Sequence, residues 1–165
     1  MTHEEIAARF NTLVGPRYRT RLVGGAAEPL YVPASPAAPA EIHYTRDYAQ
    51  SALHELAHWC IAGARRRQQP DYGYWYQPPP RDAMARERFF VAESRVQGLE
   101  LLLAQAAGVR FHVSVDDPGA EPGDFAARVE VAARVWLAAV LPARTREVLA
   151  ALNPHWRPYI DAERH

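Results

Sequence analysis

The sequence predicts an α+β fold, a mostly helical single domain spanning residues 1–165 with a small sheet. Three observations predict it. Apolar residues recur at helical spacing through several long stretches. Short apolar runs next to glycine or proline lie before residue 46 and again near residue 110, where strands are expected. A length of 165 residues with 48% hydrophobic residues suits one sizeable core.

Taken in order, Thr2 and Glu5 form a capping-box pattern, and Ile6, Phe10, Leu13 and Val14 give the helical stripe that follows, up to Gly15-Pro16. Residues 19–23 and 30–32 read as short strands around Gly24-Gly25. Residues 33–40 hold three prolines and read as a rigid surface connection. Ile42 to Thr45 is a third strand candidate. A helix is expected from Asp47 to about Arg67, because Leu53, Leu56, Ala57, Cys60 and Ile61 recur at helical spacing. Pro70 bounds it. A second long helix is expected over about 83–106, capped by Asp82 and ending before Gly108. Val109, Phe111, Val113 and Val115 alternate, which predicts a strand over 109–115. An acidic, turn-rich loop over 116–123 leads to a helix from Phe125 to Leu141. Pro142 opens a last helix with Val148, Leu149 and Leu152 as its stripe, ended by Pro154.

Acidic and basic residues balance at 19 each, and every basic one is arginine. This balance gives no global argument for a nucleic-acid or membrane-surface partner. No 18-residue apolar run exists, so no membrane span is expected. Cys60 is the single cysteine, which rules out an internal disulfide and makes a small buried hydrophobe its default role. A cytoplasmic location is the expectation.

The chemistry concentrates in His54-Glu55-Leu56-Ala57-His58. Histidines four apart share a helical face, so both rings can reach one metal ion. A third ligand is needed, and the following helix offers Glu87, Glu93 and Glu100; Glu87, between Arg86 and Arg88, reads as solvated, whereas Glu93 lies at mid-helix, where an unpaired carboxylate is costly to bury. Glu93, Gln97 and Glu100 share a face, so Glu100 is expected to support a ligand histidine, with Gln97 beside it. Glu55 is the catalytic candidate: a general base if the metal is zinc, a proton relay or positioning group if it is iron. Two histidines and a carboxylate suit a zinc peptidase or a dioxygen-using Fe(II) centre equally.

Between the two ligand helices lie Tyr72, Tyr74, Trp75 and Tyr76, expected to wall a pocket for an aliphatic or cationic side chain. A carboxylate at the mouth would suit an ammonium, and Asp82, Asp116 and Asp117 are candidates, with Arg81 a further polar residue beside them. His112 could face the site from the expected strand. Arg65-Arg66-Arg67 suits the helix C-terminus electrostatically and could also dock an acidic protein or RNA.

The run Ser51 to Gly63, with Trp59-Cys60-Ile61-Ala62-Gly63 after the second histidine, resembles the core of the elongation factor P hydroxylase family. So do Asp71 to Tyr76, the following Pro78-Pro79-Pro80 and Arg81-Asp82-Ala83, the segment from Phe89 to Leu99, and Phe111-His112-Val113-Ser114. The resemblance implies a zincin-like arrangement around the HExxH helix and a non-haem Fe(2+) cofactor held by His54, His58 and Glu93. It implies hydroxylation of the β-lysylated lysine of translation elongation factor P, with dioxygen and a reductant as co-reactants. A zinc-dependent metallopeptidase and a non-enzymatic translation-factor binding protein are the alternative readings.

Overall fold

The first helix carries its own cap. In the computed structural model, which describes residues 1–45, 47–73, 83–114 and 122–157, helix α1 spans His3–Leu13. Thr2 Oγ1 accepts from Glu5 N at 3.3 Å, and Glu5 Oε2 accepts from Thr2 N at 2.8 Å, the reciprocal pair that the sequence predicts. Ile6, Phe10 and Val14 turn into the core, whereas Leu13 is 61% exposed. A four-residue helix, α2 (Gly15–Tyr18), then turns the chain through a left-handed Arg19.

Three strands follow, β1 (Thr20–Ala26), β2 (Leu30–Val32) and β3 (Ala40–Thr45), in the sheet order β1-β3-β2. β1 runs parallel to β3 with Thr20 opposite Ala40, and β2 runs antiparallel to β3 with Tyr31 opposite Ile42. The register shifts between Val23 and Ala26, where Gly25 takes a φ of +81°. Alternate residues Ala40, Ile42 and Tyr44 are buried, as a half-covered strand requires.

Helix α3 spans Ala49–Ile61, shorter at both ends than the periodicity predicts. Asp47 is left-handed at φ 54°, so the helix begins after it. At the other end, Arg144 Nη2 donates to the carbonyls of Cys60 and Ala62 at 3.1 and 2.6 Å, and Arg67 Nη1 donates to Ala62 at 2.6 Å. These guanidiniums satisfy carbonyls that a longer helix would have bonded internally. Residues up to Gly73 form two short 3₁₀ turns instead, Arg66–Gln68 and Pro70–Gly73.

Helix α4 (Ala83–Ala107) closes on Gly108 at φ +64°, the expected glycine stop. Helix α5 spans Pro122–Ala138, displaced toward the N-terminus from the predicted 125–141, and α6 spans Ala143–Leu152 with Pro142 as its cap residue. The strand expected over 109–115 does not form across the described residues 109–114. Side chains of the helices bond that stretch instead. Gln97 pairs with Ser114 through both its amide atoms, at 3.1 and 2.6 Å, and Gln50 Nε2 donates to His112 O at 2.5 Å. Alternation alone could not reveal that no neighbouring strand would be there to pair with it.

α3 lies at the centre, packed on α1, β3 and α4, with α5 against the far side of α4. Trp59 meets Phe10 and Tyr18 edge-on at 5.2 and 5.3 Å, and Arg144 caps its ring face at 5.0 Å. Cys60 is buried, as its position on the apolar stripe predicts. Among the described residues no helix is long and apolar enough to cross a membrane.

Candidate metal centre

α3 presents His54 and His58 on one face, and α4 crosses it with Glu93. One ligand atom from each of these three residues lies within 4.8 Å of the other two, so the three can share one cation. The Nε2 atoms of the two histidines are 3.2 Å apart; Glu93 Oε1 is 3.4 Å from His54 Nε2, and Glu93 Oε2 is 3.9 Å from His58 Nε2. The residues around the cluster orient it. His54 Nδ1–H donates to Glu100 Oε2 at 2.8 Å, which leaves Nε2 turned toward His58 and Glu93. Gln97 Nε2 donates to Glu93 Oε1 at 3.1 Å. Glu93, Gln97 and Glu100 follow one another at helical spacing and are all buried, as their shared face predicts.

The electrostatics fit a cation. Among protein groups alone, burial lowers the His54 pKa. The Glu100 hydrogen bond and the charges of Glu93, Glu100 and Glu55 outweigh burial and raise it to about 10. Burial, reinforced by the His54 charge, holds His58 well below the usual histidine range. Glu55 is pushed up to about 7, chiefly by burial, with His54 opposing and the neighbouring carboxylates adding to the shift. Burial also raises Glu100, against the pull of its His54 hydrogen bond. A pocket this rich in buried carboxylates and imidazoles has the donor set and the negative charge that a divalent cation neutralises.

Beside the cluster is a cavity of about 830 Å³, a volume usual for ligand pockets. Glu55 lines it between the two histidines. Tyr72 closes one side, with its ring stacked on Tyr31 at 4.1 Å and parallel to His58 at 6.4 Å. Tyr72 reaches this place through the strained turn Pro70–Gly73, in which Asp71, Tyr72 and Gly73 all have positive φ, of 47°, 57° and 67°. Of the predicted aromatic wall, Tyr72 is therefore at the cavity. Tyr74, Trp75 and Tyr76 lie outside the described residues, as do Arg81, Asp82, Asp116 and Asp117. His112 is exposed and does not line the cavity; its backbone carbonyl, not its ring, holds the adjoining segment to Gln50. Arg67 donates to the end of α3, as the helix-terminus reading predicts, whereas Arg66 donates to Tyr72 O at 3.3 Å.

Tyr31, Asp71, Gln50 and Ser114 also line the cavity, and the motif reading did not single them out. Asp71 was open to detection, since it immediately precedes the aromatic cluster. Tyr31, on a three-residue strand, carried no signal.

The family described as elongation factor P hydroxylase matches residues 9–164. This chain belongs to that family. Elongation factor P lysine hydroxylase of Haemophilus influenzae is 40% identical over 153 residues, which cover 90% of this chain and 86% of that protein. The family match encloses every residue of the cluster described above, from His54 to Glu100.

Proposed function

We propose that this chain hydroxylates the lysine-derived side chain of translation elongation factor P, after β-lysylation of that lysine, using Fe(2+) held by His54, His58 and Glu93. The observation that carries the reading is the family match over residues 9–164, which spans three converging ligand atoms beside a cavity. The name of the Haemophilus influenzae relative supports lysine as the target. We read the α3 helix beside a small mixed sheet, with its third ligand from the next long helix, as zincin-like, and the whole chain as one metal-binding hydroxylase domain. A cytoplasmic location follows from the substrate.

Fe(2+) held by His54, His58 and Glu93 would supply the dioxygen chemistry that an unactivated C–H bond requires. One oxygen atom enters the C–H bond, and the other leaves as water with two electrons and two protons from an external reductant. The protein's residues provide orientation and exclusion. Glu100 sets the His54 ring through Nδ1–H, and Gln97 holds the Glu93 carboxylate and, through Ser114, the segment that borders the cavity. Glu55 places a carboxyl oxygen on the cavity wall next to both ligand histidines, where it holds or moves a proton. Tyr72 and Tyr31 form an apolar wall for the aliphatic stem of the substrate.

The test is to incubate iron-loaded protein with β-lysylated factor, dioxygen and a reductant and to measure intact mass. Addition of one oxygen atom is expected. An unchanged mass, with the factor fully β-lysylated and iron bound, would overturn the reading. Peptide cleavage by the zinc-loaded protein would favour the metallopeptidase.

A further inference from the structure

Strand β2 is an edge strand, and Leu30 and Tyr31 on it line the cavity beside the three ligand atoms. An open strand edge next to a catalytic centre is a natural seat for an extended peptide, which would add as a further strand. Here the edge is closed at that point. Tyr31 N donates to Asp71 Oδ1 at 2.9 Å, and the Tyr31 hydroxyl donates to Arg67 O at 2.9 Å. A backbone entering along β2 would have to displace the Asp71 carboxylate.

The second oxygen of that carboxylate is differently placed. Asp71 is exposed and lines the same cavity. Among the described residues, Oδ2 has no hydrogen-bond or ion-pair partner, while Oδ1 is committed to Tyr31. Next to it, the Tyr72 hydroxyl is buried without a hydrogen-bond partner among the described residues, on a side chain only 4% exposed that lines the cavity. Asp71 and Tyr72 occupy consecutive left-handed positions, a conformation that a bulky tyrosine adopts only when its surroundings impose it. The turn therefore sets an exposed carboxylate and an aromatic ring beside the cavity, the ring's hydroxyl being buried and without a hydrogen-bond partner among the described residues.

We infer that Asp71 is the specificity-determining residue of the cavity: it closes the β2 edge to an extended backbone and receives the terminal ammonium of a long aliphatic side chain reaching toward the metal ligands. The inference rests on the reading of the substrate as a lysine-derived side chain. It adds the residue that recognises the charge and the reason a side chain, rather than a peptide strand, enters. An ammonium on Asp71 Oδ2 makes a charge-assisted bond, and the stacked rings of Tyr72 and Tyr31 flank the methylene stem.

The test compares Asp71→Asn with the unaltered protein, both loaded with the same metal. Asparagine keeps an acceptor for Tyr31 N–H and removes the charge. The probes are a peptide carrying a β-lysylated lysine and the same peptide with its amines acetylated, titrated calorimetrically. The unaltered protein is expected to bind the cationic peptide about tenfold or more tightly than the acetylated one. Asp71→Asn should lose that preference, bind the acetylated peptide as before and retain its metal content. Asp71→Ala should lose the preference as well. Equal affinity of Asp71→Asn and the unaltered protein for the cationic peptide would overturn the inference. So would a loss of both peptides alike, which marks a structural role, or no binding of either by the unaltered protein. Oxygen addition to the intact factor is read separately, so failure of the hydroxylation reading and failure of the Asp71 assignment are distinguishable.

Discussion

Glu93 is 9% exposed, and its described partners are the two histidines and Gln97. A carboxylate taken out of water in mid-helix is destabilising unless charge or hydrogen bonds compensate. Holding a cation gives that compensation, so Glu93→Ala should abolish most of the bound metal while leaving the helix intact. Elemental analysis after purification, alongside circular dichroism, checks this; full metal occupancy in the variant would remove Glu93 from the ligand set. Gln97→Ala acts one step further out. It frees the Glu93 carboxylate and the Ser114 backbone together, and metal affinity should fall by about 10–100-fold. A competition titration against a chelator of known affinity reads that change. At this scale the sequence was informative wherever residue type and helical spacing were enough: His54 and His58 share one face of α3, and Glu93, Gln97 and Glu100 share one face of α4. It was uninformative at Tyr31, which lies on a three-residue strand and meets Asp71 and Tyr72 only through a left-handed turn distant in sequence.

Among elements, α4 contributes most to the geometry of the centre, because its depth against α3 sets the distance from Glu93 to the two histidines. Gly98 controls how closely α4 approaches α5 on its other side. A Cβ at Gly98 would lie 2.7 Å from the Ala132 Cβ and 2.8 Å from the Ala133 backbone nitrogen. Backbone cannot move aside as a flexible side chain can, so Gly98→Ala should destabilise the fold by about 1–3 kcal/mol despite the better helix propensity of alanine. Urea unfolding followed by circular dichroism measures it; an unchanged midpoint would show that α5 yields. The periodicity of α3 extended to about Arg67, yet the helix stops at Ile61. Its stop comes from Arg144, on α6, and from Arg67, which bond its last carbonyls. The segment over 109–114 shows the same effect in a strand-like pattern, with amide side chains from α3 and α4 in place of a neighbouring strand.

At the scale of the whole molecule, the ligand atoms come from two helices separated by a long stretch of chain, so metal binding is linked to folding. A ligand that binds only the folded state stabilises it in proportion to the logarithm of its excess over Kd. At a thousandfold excess, Fe(2+) should add about 4 kcal/mol and raise Tm by roughly 10 °C. Anaerobic thermal melts with and without the ion test this, and Glu93→Ala should show a much smaller shift. An equal shift in that variant would place the bound ion elsewhere. What the sequence determined by itself was everything carried by local period and residue chemistry: the capped first helix, the HExxH helix, the carboxylate face of α4 and the glycine stop at Gly108. These depend on contacts within a few turns of one helix. Only the tertiary structure decided where α3 ends, that 109–114 pairs with side chains, and that Tyr31 and Asp71 meet at the cavity. In each of those the partner groups come from elements far apart in sequence, and no pattern along one segment encodes them.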